Sequence, residues 1–254
     1  TYVVTIDTDI DLSPGGVLRS SGSGYFSVPA ARTIVADVLS NTGHSGGGVV
    51  RCSHSTGTVT LTGNVQAGPS VGLDNTSTGT VNITTAQGGT GYAAYGANNA
   101  SVGTINITTA TGGTGSSAYG ANNASAGTIN ITTATGGTGP AAYGAHNDGS
   151  GTVNITTATG GTGYAAYGAN NAGAGTVNVT TATGGTGNGA HGVHNASAGT
   201  VNVTTATGGT GGSAHGALFR GRVRCGRPCA QQVSENNSRP ISMRRISLVP
   251  APIS

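Results

Sequence analysis

An all-β parallel β-helix, a solenoid of 24-residue coils, is the fold that three features of this sequence predict. The first is strict periodicity: six units of 24 residues begin at Gly79, Gly103, Gly127, Gly151, Gly175 and Gly199 with no insertion between them. A fixed period gives every residue an equivalent in the next unit, which stacked coils require and an ordinary globular core does not. The second is alternation within the unit. Thr80-Val81-Asn82-Ile83-Thr84 reads out, in, out, in, out, the pattern of a half-buried strand. The third is composition: with 48 Gly in 254 residues and no helical periodicity, little of the chain is suited to helix.

Each part of the unit then has a physical reason. The inward pairs are Val81/Ile83, Ile105/Ile107, Ile129/Ile131, Val153/Ile155, Val177/Val179 and Val201/Val203, all β-branched as strands favour. Gly88-Gly89-Thr90-Gly91 ends the strand and frees the backbone for a turn. A second, shorter extended segment is expected at Ala94-Tyr95-Gly96-Ala97. Asn98 and Asn99 are then expected to close the coil, because Asn tolerates the left-handed conformation of sharp turns. Parallel pairing needs a long crossover, and the remainder of each unit supplies it. At ~4.8 Å per coil, six coils make a rod ~29 Å long.

Three segments follow from these patterns. Residues 1–56 hold strand-like runs without clear repetition, Tyr2 to Ile6, Ile34 to Leu39 and Val49 to Cys52, and read as a cap or as drifted coils. Residues 57–216 form the solenoid array, with a degenerate unit from Gly57, two residues short, before the regular copies of 79–216. Residues 217–254 are aperiodic, Arg-rich and dotted with Pro, and read either as a disordered tail or as the product of a shifted reading frame. The start at Thr1, without a Met or a leader-like segment, reads as a mature form or a fragment.

Charge narrows the function classes. Asp148 is the sole formally charged residue between Gly79 and Gly216, while seven of the ten Arg lie between Arg220 and Arg245. A nucleic-acid footprint would be a basic stripe along the array, so no nucleic-acid partner is expected. No run approaches the ~18 apolar residues of a membrane span, so this segment is not expected to insert in a membrane. The three cysteines, Cys52, Cys225 and Cys229, do not make a disulfide framework. One Asp in six coils supplies no carboxylate pair for acid–base chemistry, and the chain reads as a non-enzyme without cofactor or metal. His191 and His194 lack nearby carboxylate or thiol co-ligands. Asp7, Asp9 and Asp11 are expected to alternate on one strand face, either as a calcium cluster or as charges guarding an end strand.

The outward positions form files along the rod. Thr80, Thr104, Thr128, Thr152 and Thr176 make one file, Asn82, Asn106, Asn130, Asn154 and Asn178 the next, and Thr84, Thr108, Thr132, Thr156 and Thr180 a third. Together they form a candidate binding face. Asn99, Asn123, Asn147, Asn171 and Asn195 are expected to form a structural amide ladder that satisfies turn groups. The adjacent file, Asn98, Asn122, His146, Asn170 and His194, tolerates exchange and is expected to face solvent. Tyr95, Tyr119, Tyr143 and Tyr167 form an aromatic file, continued by His191 and His215, that either packs on itself or offers a strip for sugar rings. The position typified by Pro140 is expected outside any central strand.

The unit GTVNITTATGGTG followed by AYGANNASAG resembles the repeats of bacterial surface adhesins and of the passenger regions of pertactin-like autotransporters, over roughly residues 57–217. The resemblance implies a right-handed β-helix, export, and display at a bacterial cell surface or secretion. It also implies a larger parent protein, with a host or surface glycan or protein as partner. The function expected is that of a non-enzymatic rigid stalk or adhesin-type solenoid. The alternative is an ice-binding solenoid, because the Thr-x-Asn-x-Thr face is similar to the Thr arrays of ice-binding proteins.

Overall fold

The computed structural model describes residues 3–12, 16–20, 25–41, 48–68, 70–219 and 222–225. All regular structure among them is β, and all of the strand pairing is parallel. Two sheets run the length of the chain, one of ten strands and one of eleven. From Tyr25–Val28 onward successive strands alternate between the sheets, so each strand bonds to the equivalent strand of the next coil. That is a parallel β-solenoid.

In the first regular copy the long strand is Thr80–Gln87 and the short one Ala97–Asn99. Pairing keeps the predicted phase: Ile107 sits beside Ile83 and Ile131, and Asn98 beside Asn122. The long strand continues beyond the predicted Thr84, and its alternation breaks within it. Thr84 is exposed and Thr85 half-buried, two successive outward residues, before Ala86 turns inward. The strand therefore bends there, and the Ala file (Ala86, Ala110, Ala134, Ala158, Ala182) adds a third inward residue per coil. Val81, Ile83 and Ala86 join their equivalents in one hydrophobic cluster that extends from Ile6 to Ala206. Ile107, Ile131 and Ile155 are each 5 % exposed and belong to that cluster.

Two sequence-based placements change. The short strand lies three residues later than expected, on Ala97–Asn99, so both Asn are strand residues instead of turn residues. The left-handed conformation falls on Ala93, Ser117, Ala141, Ala165 and Ser213, with φ of 54–58°, and on Gly189 with φ 67°. The turn is thus set by the position after Pro140, which lies outside the strands as expected. What moves the strand is Gly96 and its equivalents. A Cβ on Gly120 would lie 2.6 Å from the Gly144 carbonyl and 2.7 Å from that of Thr135. Only Gly allows the chain to pass that close to the opposite sheet before the short strand begins.

Residues ahead of the regular copies build the same two sheets. Val3–Thr5, Tyr25–Val28, Gly48–Cys52 and Val71–Asn75 extend the short-strand sheet. Ile10–Asp11, Val17–Ser20, Thr33–Asn41 and Thr58–Ala67 extend the other, with both Ile10–Asp11 and Val17–Ser20 pairing Thr33–Asn41. Register slips occur between Val35 and Val38 and between Leu61 and Asn64, which accounts for the irregular period there. At the other end, Ala217–Phe219 and Arg222–Cys225 still pair in parallel with the preceding coil, so the ladder persists past residue 217. Backbone pairing needs an extended chain, not a particular side chain, which is how it outlasts the repeat. The stretch 226–254, including Cys229, lies outside the described residues.

Candidate binding face

The Asn82 file lies half-buried on the outer side of the long-strand sheet, and its amides bond to one another along the rod. Asn106 Nδ2 donates to Asn82 Oδ1 at 2.8 Å, Asn130 to Asn106 at 2.8 Å, Asn154 to Asn130 at 2.8 Å, Asn178 to Asn154 at 2.8 Å and Asn202 to Asn178 at 2.7 Å. The Thr84 file stands beside it, exposed, and the Thr80 file on its other side is half-buried. Between the Asn82 and Thr84 files runs an open trough, floored at Ile83 and its equivalents and reaching from Thr60–Thr62 to Asn202–Thr204. The candidate face is therefore grooved. Thr62, in the drifted coil, joins it.

The Asn99 file points into the solenoid, and Asn99, Asn123, Asn147, Asn171 and Asn195 are completely buried. Asn75 of the drifted coil belongs to it as well: its Nδ2 donates to Asn99 Oδ1 at 2.9 Å. Farther along, Asn123 donates to Asn147 at 3.0 Å, Asn147 to Asn171 at 3.1 Å and Asn171 to Asn195 at 3.3 Å. Each regular member also donates to the carbonyl four residues on, as Asn123 does to Gly127 at 3.0 Å and Asn195 to Gly199 at 2.9 Å. Those carbonyls are at the coil's corner, so the amide satisfies backbone that turns away from both sheets.

The neighbouring file was expected to face solvent, and the structure corrects this. Asn122, His146 and Asn170 are buried, and Asn98 and His194 half-buried. Their cover is the aromatic file. Tyr95, Tyr119, Tyr143 and Tyr167 stack with centroids 4.9, 4.8 and 4.9 Å apart and planes within 9°, and His191 and His215 continue the stack at 5.2 Å each. His146 lies beneath Tyr119 at 4.7 Å, and His194 beneath Tyr167 at 4.7 Å. A covered polar file needs partners, and with one exception it has them. Asn98 donates to Asp74 Oδ1 at 2.9 Å, Asn122 to Asn98 at 2.9 Å, and Asn170 bonds His146 Nδ1 at 3.0 Å and His194 Nδ1 at 2.9 Å. Asn122 Oδ1 is left without a partner where His146 replaces an amide donor.

Burial tunes this side electrostatically. It holds His146 at about 4 against the pull of Asp148 and of its bond to Asn170, so the ring is neutral at pH 7. His191 is also lowered to about 4, by burial and then by His215 and His194. The Tyr95 phenol is pushed up to about 12, chiefly by burial and then by Tyr119. Burial likewise raises Cys52, followed by Asp74, so this thiol is inert. Because each inner ring of the stack has a neighbour on both faces, the file offers sugars its edges and not its faces. The exposed rings on this side are Tyr92 and Tyr164, at 78 % and 69 %.

Asp7 and Asp9 lie between strands, and Asp11 alone is in one, so the three do not share a strand face. Asp9 instead accepts the Thr33 backbone N–H at 2.9 Å. Among the described residues no three His, Cys, Asp or Glu side chains are grouped to hold a metal ion. No protein-family model matches the chain, and no curated protein or solved structure matches it either.

Proposed function

We propose that this chain is the rigid rod of a non-enzymatic, exported surface protein, serving as a stalk or as an adhesin-type solenoid. The observation that carries the reading is continuity. Two parallel sheets run from the first described strand to the last around an apolar interior that extends from Ile6 to Ala206, and from Asn75 onward amide and then aromatic ladders tie coil to coil. Nearest-neighbour coupling of this kind resists bending and passes tension along the axis through a row of hydrogen bonds at every coil. The adhesin-like repeat sequence supports export and display. Such a protein acts by length and by surface presentation.

X-ray scattering in solution tests it. The expected particle is a rod in which the ten strands of one sheet span roughly 43 Å, at ~4.8 Å per coil. A compact, isotropic particle, or turnover of a polysaccharide by the purified chain, would overturn the reading. A second reading, ice binding, is favoured by one observation: the exposed Thr84 file repeats once per coil in strict register. It requires thermal hysteresis that bulky replacements of Thr132 and Thr156 abolish.

A further inference from the structure

We propose that the trough between the Asn82 and Thr84 files binds a linear, uncharged polysaccharide lying along the rod axis. The inference rests on the adhesin-type reading and names its ligand class. The first support is the state of the amides. Each inner member of the file spends one N–H and one lone pair of its oxygen on its neighbours, as Asn130 does with Asn106 and Asn154. An Asn side chain has a second N–H and a second lone pair, and because the file is half-buried and lines the trough, these are the groups left for a ligand there. Every inner regular coil therefore presents a pinned donor, a pinned acceptor and, two residues on, the hydroxyl of an exposed Thr. Sugar hydroxyls are donors and acceptors at once, and a file offering both at a fixed ~4.8 Å spacing matches a chain of them.

The second support is charge. Over the span of the trough, Thr60 to Thr204, the formal charges are Asp74 and Asp148, which lie in the short strand Val71–Asn75 and just after the short strand Ala145–Asn147, both on the other sheet. Phosphate, sulfate or uronate polymers require cationic partners, which this lining lacks. The third is shape. The trough is continuous over the files from Thr62 to Thr204, ~29 Å at the coil spacing, long enough for several sugar units in a row. Its amides are already held by one another, so binding a chain orders few side chains, which lowers the cost of association. A second groove runs parallel to it along the Gly-Gly-Thr turns, lined by Thr111, Gly112, Gly113, Thr114 and their equivalents. It has no amide ladder and serves as the internal control.

Isothermal titration of the purified full chain with cellohexaose, xylohexaose and mannohexaose, and with oligogalacturonate as the charged counterpart, tests the proposal. Binding of at least one neutral hexasaccharide, with none of the oligogalacturonate, is expected. Thr132→Trp with Thr156→Trp fills the trough from two exposed positions and should weaken that binding roughly tenfold or more, whereas Thr138→Trp with Thr162→Trp in the Gly groove should leave it unchanged. Circular dichroism melts establish that each variant keeps the fold. Three results would overturn the proposal: no binding of any neutral hexasaccharide, equal binding to the trough-filled variant, or binding lost only on Tyr92→Ser with Tyr164→Ser. The scattering experiment reports on the rod independently, so a rod that ignores all of these sugars sinks the ligand and not the scaffold.

Discussion

The Asn147 and Asn154 files carry the same side chain at the same 24-residue spacing, seven residues apart in sequence, and do different work. Asn147 is completely buried, bonds amides on both sides and also holds the Gly151 carbonyl at 3.2 Å. Asn154 donates to Asn130 and accepts from Asn178, and it is only half-buried. The two ladders even run with opposite polarity, the buried one donating toward the next coil and the open one toward the previous coil. The corner carbonyl accounts for the difference inside: one N–H is committed to it, which leaves the other to point along the rod. Burial makes an amide structural, and exposure leaves it able to bind.

The sharpest way to break this comparison is to remove one amide from each file. Asn147→Leu strands the Gly151 carbonyl and two neighbouring amides in the interior and should cost about 4 kcal/mol in chemical denaturation. If it costs no more than its outer counterpart, the distinction between the files fails. The covered file between them gives the next effect, read through pH. His146 is neutral in the fold at about 4, against an ordinary 6.5 when unfolded, so the unfolded chain takes up the extra proton. Stability from this group is complete above pH 6.5, falls as the pH drops toward 4 and levels off below it, a loss of about 3 kcal/mol. His146→Asn, which restores the residue found at Asn98, Asn122 and Asn170, should reduce that fall and leave the part that His191 contributes over the same range.

Smaller effects sharpen the picture at the surface. Gly189→Ala has open space around its new Cβ but takes on a φ of 67°, and should cost about 1 kcal/mol in thermal melts. A cost near zero would mean that the turn relaxes locally. Asn154→Ser should cost about 0.5 kcal/mol or less, because water can replace what the trough amide supplied.

The period was legible because it repeats without slippage, and the inward Val and Ile positions were legible because a strand alternates. The Asn99 ladder was legible because a polar residue kept in every coil of a narrow interior needs hydrogen-bond partners there, which the corner carbonyls and neighbouring amides supply except at Asn123 Oδ1. Asn75 was missed because the drifted coil obscures the repeat, although its position after Val71-Gly72-Leu73 could have marked it. The Asn98 file was misplaced for a different reason. Variation between Asn and His looks like solvent tolerance, yet both side chains fit under a flat ring and bond their neighbours from one ring or amide nitrogen.

What the sequence determined by itself was translation: a coil every 24 residues, each residue stacked on its equivalent, with branched apolar side chains inside. Tertiary structure decided rotation, meaning where around the coil each file points and what covers it. The bend at Thr84–Thr85, the shift of the short strand to Ala97–Asn99 and the aromatic roof over His146 arise from how closely two sheets can approach across Gly96 and its equivalents. A repeat records only that successive coils agree with one another. The cross-section on which they agree is fixed by packing between residues far apart within the coil.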